Sequence, residues 1–142
     1  MMRFNIPTAV TAISAVFLLV GTAAHAEMMK FSAELTGAAG VPPTDSAAIG
    51  TVEVTLDTDA KTVAWVVTTD GLSGDPTASH IHGPAAATET AGPVIDTLAA
   101  LEGSAPITDE QIADLTAGMY YYNVHTEKYP DGEIRGQLTA AK

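Results

Sequence analysis

Met119-Tyr120-Tyr121-Tyr122-Asn123-Val124-His125, then Pro130-Asp131-Gly132, then Glu133-Ile134-Arg135-Gly136-Gln137-Leu138, is the stretch that decides the fold. The first run is aromatic and β-branched, the composition of a pleated, half-buried strand. Pro-Asp-Gly supplies a turn, and the last run returns beside the first as a β-hairpin. Side chains alternate across a strand. Tyr120 and Tyr122 therefore share one face, and Tyr121 shares the other with Asn123 and His125.

Working back toward the N-terminus, the same period-two signal recurs. Phe31, Ala33 and Leu35 alternate with polar neighbours, and Thr51 to Leu56 alternates again. Val63, Trp65 and Val67 define one face of a strand over Thr62 to Thr69, with Trp65 as the anchor of the core. A strand carrying His80 and His82 follows, then another over Pro93 to Leu98. Between them lie Gly- and Pro-bearing loops: Gly37 to Ala48, Asp70 to Pro76, and Gly83 to about Thr90. One helix is marked. Thr108 is its N-cap, Gln111 completes a capping box, Asp109 and Glu110 complement the helix dipole, and Gly118 closes it. About seven short strands and one helix in a crossover connection predict an all-β fold, an antiparallel β-sandwich or small Greek-key barrel.

The first 26 residues read as a cleaved signal peptide. Arg3 gives the positive start, Val10 to Val20 the apolar stretch, and Ala24-His25-Ala26 the cleavage site. Residues 27–142 are then one exported domain, periplasmic or extracellular, with no membrane association after cleavage. The chain has no cysteine, so disulfides, thiolate ligands and cysteine nucleophiles are excluded. Seventeen acidic residues against six basic ones give a net charge of −11. Such a surface repels nucleic acid. There is no Gly-x-Ser-x-Gly elbow and no glycine-rich phosphate loop, so neither serine-hydrolase nor nucleotide chemistry is indicated.

Chemistry concentrates in the histidines. Of four, three fall in Ser79-His80-Ile81-His82-Gly83 and Tyr122-Asn123-Val124-His125-Thr126; the fourth, His25, lies in the signal segment. On a strand His80 and His82 point the same way, roughly 7 Å apart at Cα. If His125 pairs nearby, three imidazoles converge. Neutral imidazole is a ligand for copper, zinc, nickel and iron. The expected metal ligands are His80, His82 and His125, with Glu133 as the best carboxylate, since the Pro-Asp-Gly turn folds its strand back beside His125. Copper is the expected ion and zinc the second choice. Met28, Met29 and Met119 are possible thioether donors that nothing places near the histidines. Arg135 reads as an ion-pair partner for Glu133 or another carboxylate. The alternative is that the histidines are architecture, buried and hydrogen-bonded to backbone or tyrosine.

The order Ala78-Ser79-His80-Ile81-His82-Gly83-Pro84-Ala85, Tyr122-Asn123-Val124-His125-Thr126 and Tyr129-Pro130-Asp131-Gly132-Glu133-Ile134-Arg135-Gly136-Gln137-Leu138 resembles the CHRD domain. That domain is named for its occurrence in chordin and is also found singly in exported bacterial proteins. The resemblance covers essentially residues 31–140 and implies a β-sandwich-like domain outside the cytoplasm. The growth-factor-binding modules that accompany it in chordin are absent, so that role does not carry over. Three readings remain open. The first is an exported metal-binding module for metal handling or buffering. The second is a structural or interaction domain without metal. The third is a copper-only redox protein, because a His-x-His pair on a β-sandwich also resembles copper/zinc superoxide dismutases over a few residues.

Overall fold

The computed structural model describes residues 27–142; the predicted signal segment lies outside them. Nine strands and one α-helix follow in chain order: β1 Met28–Thr36, β2 Ile49–Asp57, β3 Thr62–Asp70, β4 Pro76–His82, β5 Pro93–Asp96, β6 Glu102–Pro106, α1 Asp109–Thr116, β7 Tyr121–Thr126, β8 Ile134–Gln137 and β9 Thr139–Ala140. They form one antiparallel sheet in the order β5-β4-β7-β8-β1-β2-β3-β6, with β9 on β1. The all-β prediction holds.

The alternation read from the sequence sets which face is buried. Val52, Val54 and Leu56 on β2 meet Val63, Trp65 and Val67 on β3, with Val54 directly opposite Trp65. Phe31 and Leu35, Ile81, Ile95, Tyr122, Val124 and Ile134 join the same core from the other strands. One face of strands from both ends of the sheet thus shares one core, which requires the sheet to curl nearly into a barrel. Burial of this apolar face is the main driving term, about 25 cal/mol per Å² removed from water.

Seven strands match the sequence expectation. The two it lacks are β6 and β9. Strand β6, Glu-Gly-Ser-Ala-Pro, has little strand propensity, yet it pairs with β3 as an edge. Gly103 lies opposite Trp65, and a Cβ there would sit 2.4 Å from the indole. The tryptophan thus occupies the space that a side chain on β6 would need.

The helix forms as its signals dictate. Thr108 Oγ1 accepts from Gln111 N at 3.2 Å and Gln111 Oε1 accepts from Thr108 N at 3.0 Å. Gly118 follows the C-cap at φ 74°, the left-handed closure. Helix α1 buries Leu115 and carries the chain from β6 at one sheet edge to β7 near the other. That crossover lays β7 beside β4. Among the described residues no helix is long and apolar enough to cross a membrane.

Candidate metal centre

Strands β4 and β7 run antiparallel with Ala78 opposite His125, His80 opposite Asn123 and His82 opposite Tyr121. Ser79 and Ile81 point into the core, and the side chain of Ser79 bonds Thr97 at 2.6 Å. His80, His82 and His125 therefore occupy the outer face of the sheet. Their ring centroids lie 5.3 Å (His80–His82), 5.1 Å (His80–His125) and 6.2 Å (His82–His125) apart. One nitrogen from each falls within 4.8 Å of the others. The convergence expected from the sequence is present.

Hydrogen bonds indicate which nitrogen each ring offers. His82 Nδ1 lies 2.9 Å from Ala91 O, and His125 Nδ1 lies 2.9 Å from Pro130 O. A carbonyl only accepts, so in both rings Nδ1 carries the proton and Nε2 the lone pair. His82 Nε2 is buried and has no hydrogen-bond partner. An unsatisfied buried polar atom of this kind costs about 1–3 kcal/mol. His80 Nδ1 sits 3.2 Å from His125 Nε2 and donates to it. If the His80 proton moves to Nε2, it faces Asp96 Oδ1, 3.9 Å away, and His80 Nδ1 becomes a second lone pair beside His125 Nε2.

This arrangement fits a metal ion. Two nitrogens bound tetrahedrally at 2.0–2.1 Å stand about 3.3 Å apart, close to the 3.2 Å between His80 and His125. Ligating histidines typically give their second N–H to a carbonyl or carboxylate, which fixes tautomer and ring angle. Ala91 O and Pro130 O occupy those places for His82 and His125, while Asp96 Oδ1 stands 3.9 Å from His80 Nε2, beyond hydrogen-bond reach. Burial lowers the pKa of His80, with His125 adding to the effect, and burial likewise lowers that of His82 against the Ala91 hydrogen bond. Both are thereby kept in the neutral form that binds metals.

Glu133, the expected carboxylate ligand, does not join the group. It is buried and accepts from Ser46 Oγ at 2.7 Å, Ser73 Oγ at 2.8 Å, Thr126 Oγ1 at 2.7 Å and Ser73 N at 3.0 Å. Thr126 lies on the face of β7 opposite His125, so the carboxylate points away from the imidazoles. Burial raises its pKa, but the hydrogen bonds from Thr126, Ser46 and Ser73 outweigh this and hold it below the usual carboxylate value. Its role is to tie the loops before β2 and β4 to the end of the sheet. Nor do the N-terminal thioethers approach: Met28 and Met29 are on β1, separated from β4 by β8 and β7.

Sequence reading missed two neighbours. Tyr121 stacks on His82, its ring centroid 4.8 Å away and its plane within 5°. Its hydroxyl donates to Ala91 O at 3.0 Å and accepts from Ala91 N at 3.1 Å, which fixes the carbonyl that His82 uses. Arg135 lies over the Tyr121 ring at 3.6 Å rather than pairing with Glu133. Both follow from the shared outer face, where Tyr121 was already placed with His125.

Fold and site together define a half-buried imidazole cluster on the outer face of a nearly closed antiparallel barrel. The chain belongs to the CHRD domain family, whose model matches residues 31–138. Neither the curated proteins nor the solved structures contain a match.

Proposed function

We propose that this CHRD domain binds one late first-row transition ion, copper before zinc, through His80, His82 and His125, and acts outside the cytoplasm in metal handling or buffering. The observation that carries this reading is the trio itself, one nitrogen of each imidazole within 4.8 Å of the others, in which His82 Nε2 is buried and without a hydrogen-bond partner. An imidazole-only set without thiolate or thioether suits Cu(II) and Zn(II), and the intrinsic order of affinities puts copper first. Three protein ligands leave a fourth position open, as exchangeable sites require. Export rests on the pattern of residues 1–26.

The test is calorimetric titration of tag-free protein with Cu(II), Cu(I) and Zn(II), beside a variant with His80, His82 and His125 all replaced by Ala. One-to-one binding lost in the variant is the expected result. No binding by the parent, with the variant merely less stable, overturns the reading in favour of a structural or interaction domain. The His82–Tyr121 stack and the His80–His125 hydrogen bond would then be the purpose of the histidines. Superoxide turnover by the copper-loaded protein would instead favour the redox reading.

A further inference from the structure

Arg135 is 3% exposed and makes no ion pair among the described residues, where the pairs within 4 Å are Lys61–Asp109 and His80–Asp96. All three of its hydrogen bonds leave from Nη2, to the carbonyls of Ala86, Ala87 and Glu89, the shortest 2.7 Å. Carbonyl dipoles solvate one arm of the guanidinium but do not neutralise its charge. In a chain with a net charge of −11, a buried cation without an acidic partner is a conspicuous departure.

The same arginine lines a cavity of about 490 Å³, within the range of small-ligand sites. Val41, Pro42 and Tyr129 give it apolar surface, and of its other charged lining residues Lys128 offsets Asp131 while the Glu133 carboxylate is engaged by Ser46, Ser73 and Thr126. The Tyr121 ring underlies the guanidinium, its centroid 3.6 Å from Arg135 Cζ. A planar fork with free donors matches a carboxylate in a two-point contact, and the apolar surface suits a carbon skeleton more than a hydrated inorganic ion.

We propose that this cavity binds a small organic carboxylate, its headgroup on the Arg135 fork and its body against Val41, Pro42 and Tyr129. The anion supplies the charge the buried guanidinium lacks, and the aromatic and proline surface supplies the hydrophobic contact. His82 also borders the cavity, so the occupant lies beside the histidine cluster, but the binding of the carboxylate does not depend on a metal.

The test is a nuclear magnetic resonance titration of protein stripped of metal with EDTA and then exchanged into EDTA-free, metal-free buffer, using benzoate, benzamide and inorganic phosphate as probes. Benzoate is expected to give saturable shifts at the Arg135 Nε–H and at the amides of Tyr121 and Asn123. Benzamide, equal in shape but neutral, should bind at least about tenfold more weakly, and Arg135→Lys, which keeps the charge but not the fork, should lose a similar factor. Val41→Trp, at a half-open wall position outside the core, should block benzoate without loss of fold. Equal binding of benzoate and benzamide overturns the proposal, as does tighter binding of phosphate than of benzoate, or no saturable shift. Should Arg135→Lys fail to fold, the benzamide comparison and Val41→Trp decide the matter.

Discussion

The imidazole of His82 and the phenol ring of Tyr121 lie parallel, 4.8 Å apart, across the β4–β7 pair. Because Arg135 covers the Tyr121 ring from the β8 side, the tyrosine is clamped between a candidate ligand and a buried cation. The ring that orients His82 is therefore itself immobilised.

Replacing Tyr121 should loosen His82 without removing any nitrogen donor. Tyr121→Leu is expected to weaken Cu(II) binding by about 10–100-fold, the usual effect of losing an outer-shell support. Tyr121→Phe keeps the stack and loses only the hydroxyl contacts to Ala91, so its loss should be smaller. Calorimetric affinities of the two variants check the order.

Acid should act on the histidine cluster in a defined direction. The folded-state pKa values of His80 and His82 are lowered from 6.5, so below that pH the unfolded chain takes up protons first. Metal-free stability from these groups is present above pH 6.5 and is lost as pH falls from there through the folded values. Metal affinity falls over the same range, because protons compete for the lone pairs. Thermal melts and Zn(II) titrations from pH 7.5 to about 5 measure both effects.

Glu133 should matter for stability and not for metal. Glu133→Gln is expected to cost about 1–3 kcal/mol, as a buried acceptor loses its charge and part of its hydrogen bonding to Ser46, Ser73 and Thr126. The lowered pKa of Glu133 means that its contribution is present above the unfolded value, 4.5, and is lost as pH falls through the folded one. The variant should therefore show a smaller stability loss between pH 6 and about 3 than the parent, with unchanged Cu(II) affinity. A large drop in affinity would restore Glu133 to the ligand set.

Gly103→Ala should destabilise the edge of the sheet. The new Cβ would stand 2.4 Å from the Trp65 ring, forcing strand or indole to shift. Overpacking of this kind costs about 1–3 kcal/mol. Denaturant unfolding followed by the fluorescence of Trp65, the single tryptophan, reads the loss directly.

Much of this architecture was legible in the chain because period-two burial and turn chemistry act locally. The faces of β2, β3 and β7, the capping box at Thr108 and the left-handed Gly118 all follow from neighbouring residues. Strand β6 was not legible because its pairing is imposed from outside: Trp65 requires a glycine opposite it, and Pro106 closes an edge that donates little. Strand β5 stops at Asp96, short of Leu98, because Asp96 Oδ1 accepts from Leu98 N at 2.7 Å and Leu98 and Ala99 turn to φ 55° and 56°. The side-by-side direction of His80 and His82 was readable from spacing, but their meeting with His125 depends on the α1 crossover. Glu133 lies away from the histidines because it precedes β8, where strand alternation does not apply, and Thr126 draws it to the opposite face.

On the proposed metal-binding reading, the crossover that sets β7 against β4 also makes ion uptake depend on how far folding has gone. His80 and His125 are separated by 45 residues, and a helix and two strands lie between their own strands. An unfolded or half-folded chain presents at most the local His80–His82 pair; the third imidazole arrives only when the long-range strand pairing closes. Binding then favours the completed barrel by mass action, about 2.7 kcal/mol at a free-ion level one hundred times the dissociation constant. An ion taken up in this way works as a latch on a finished molecule, and proteases that cut open chains would spare the loaded population.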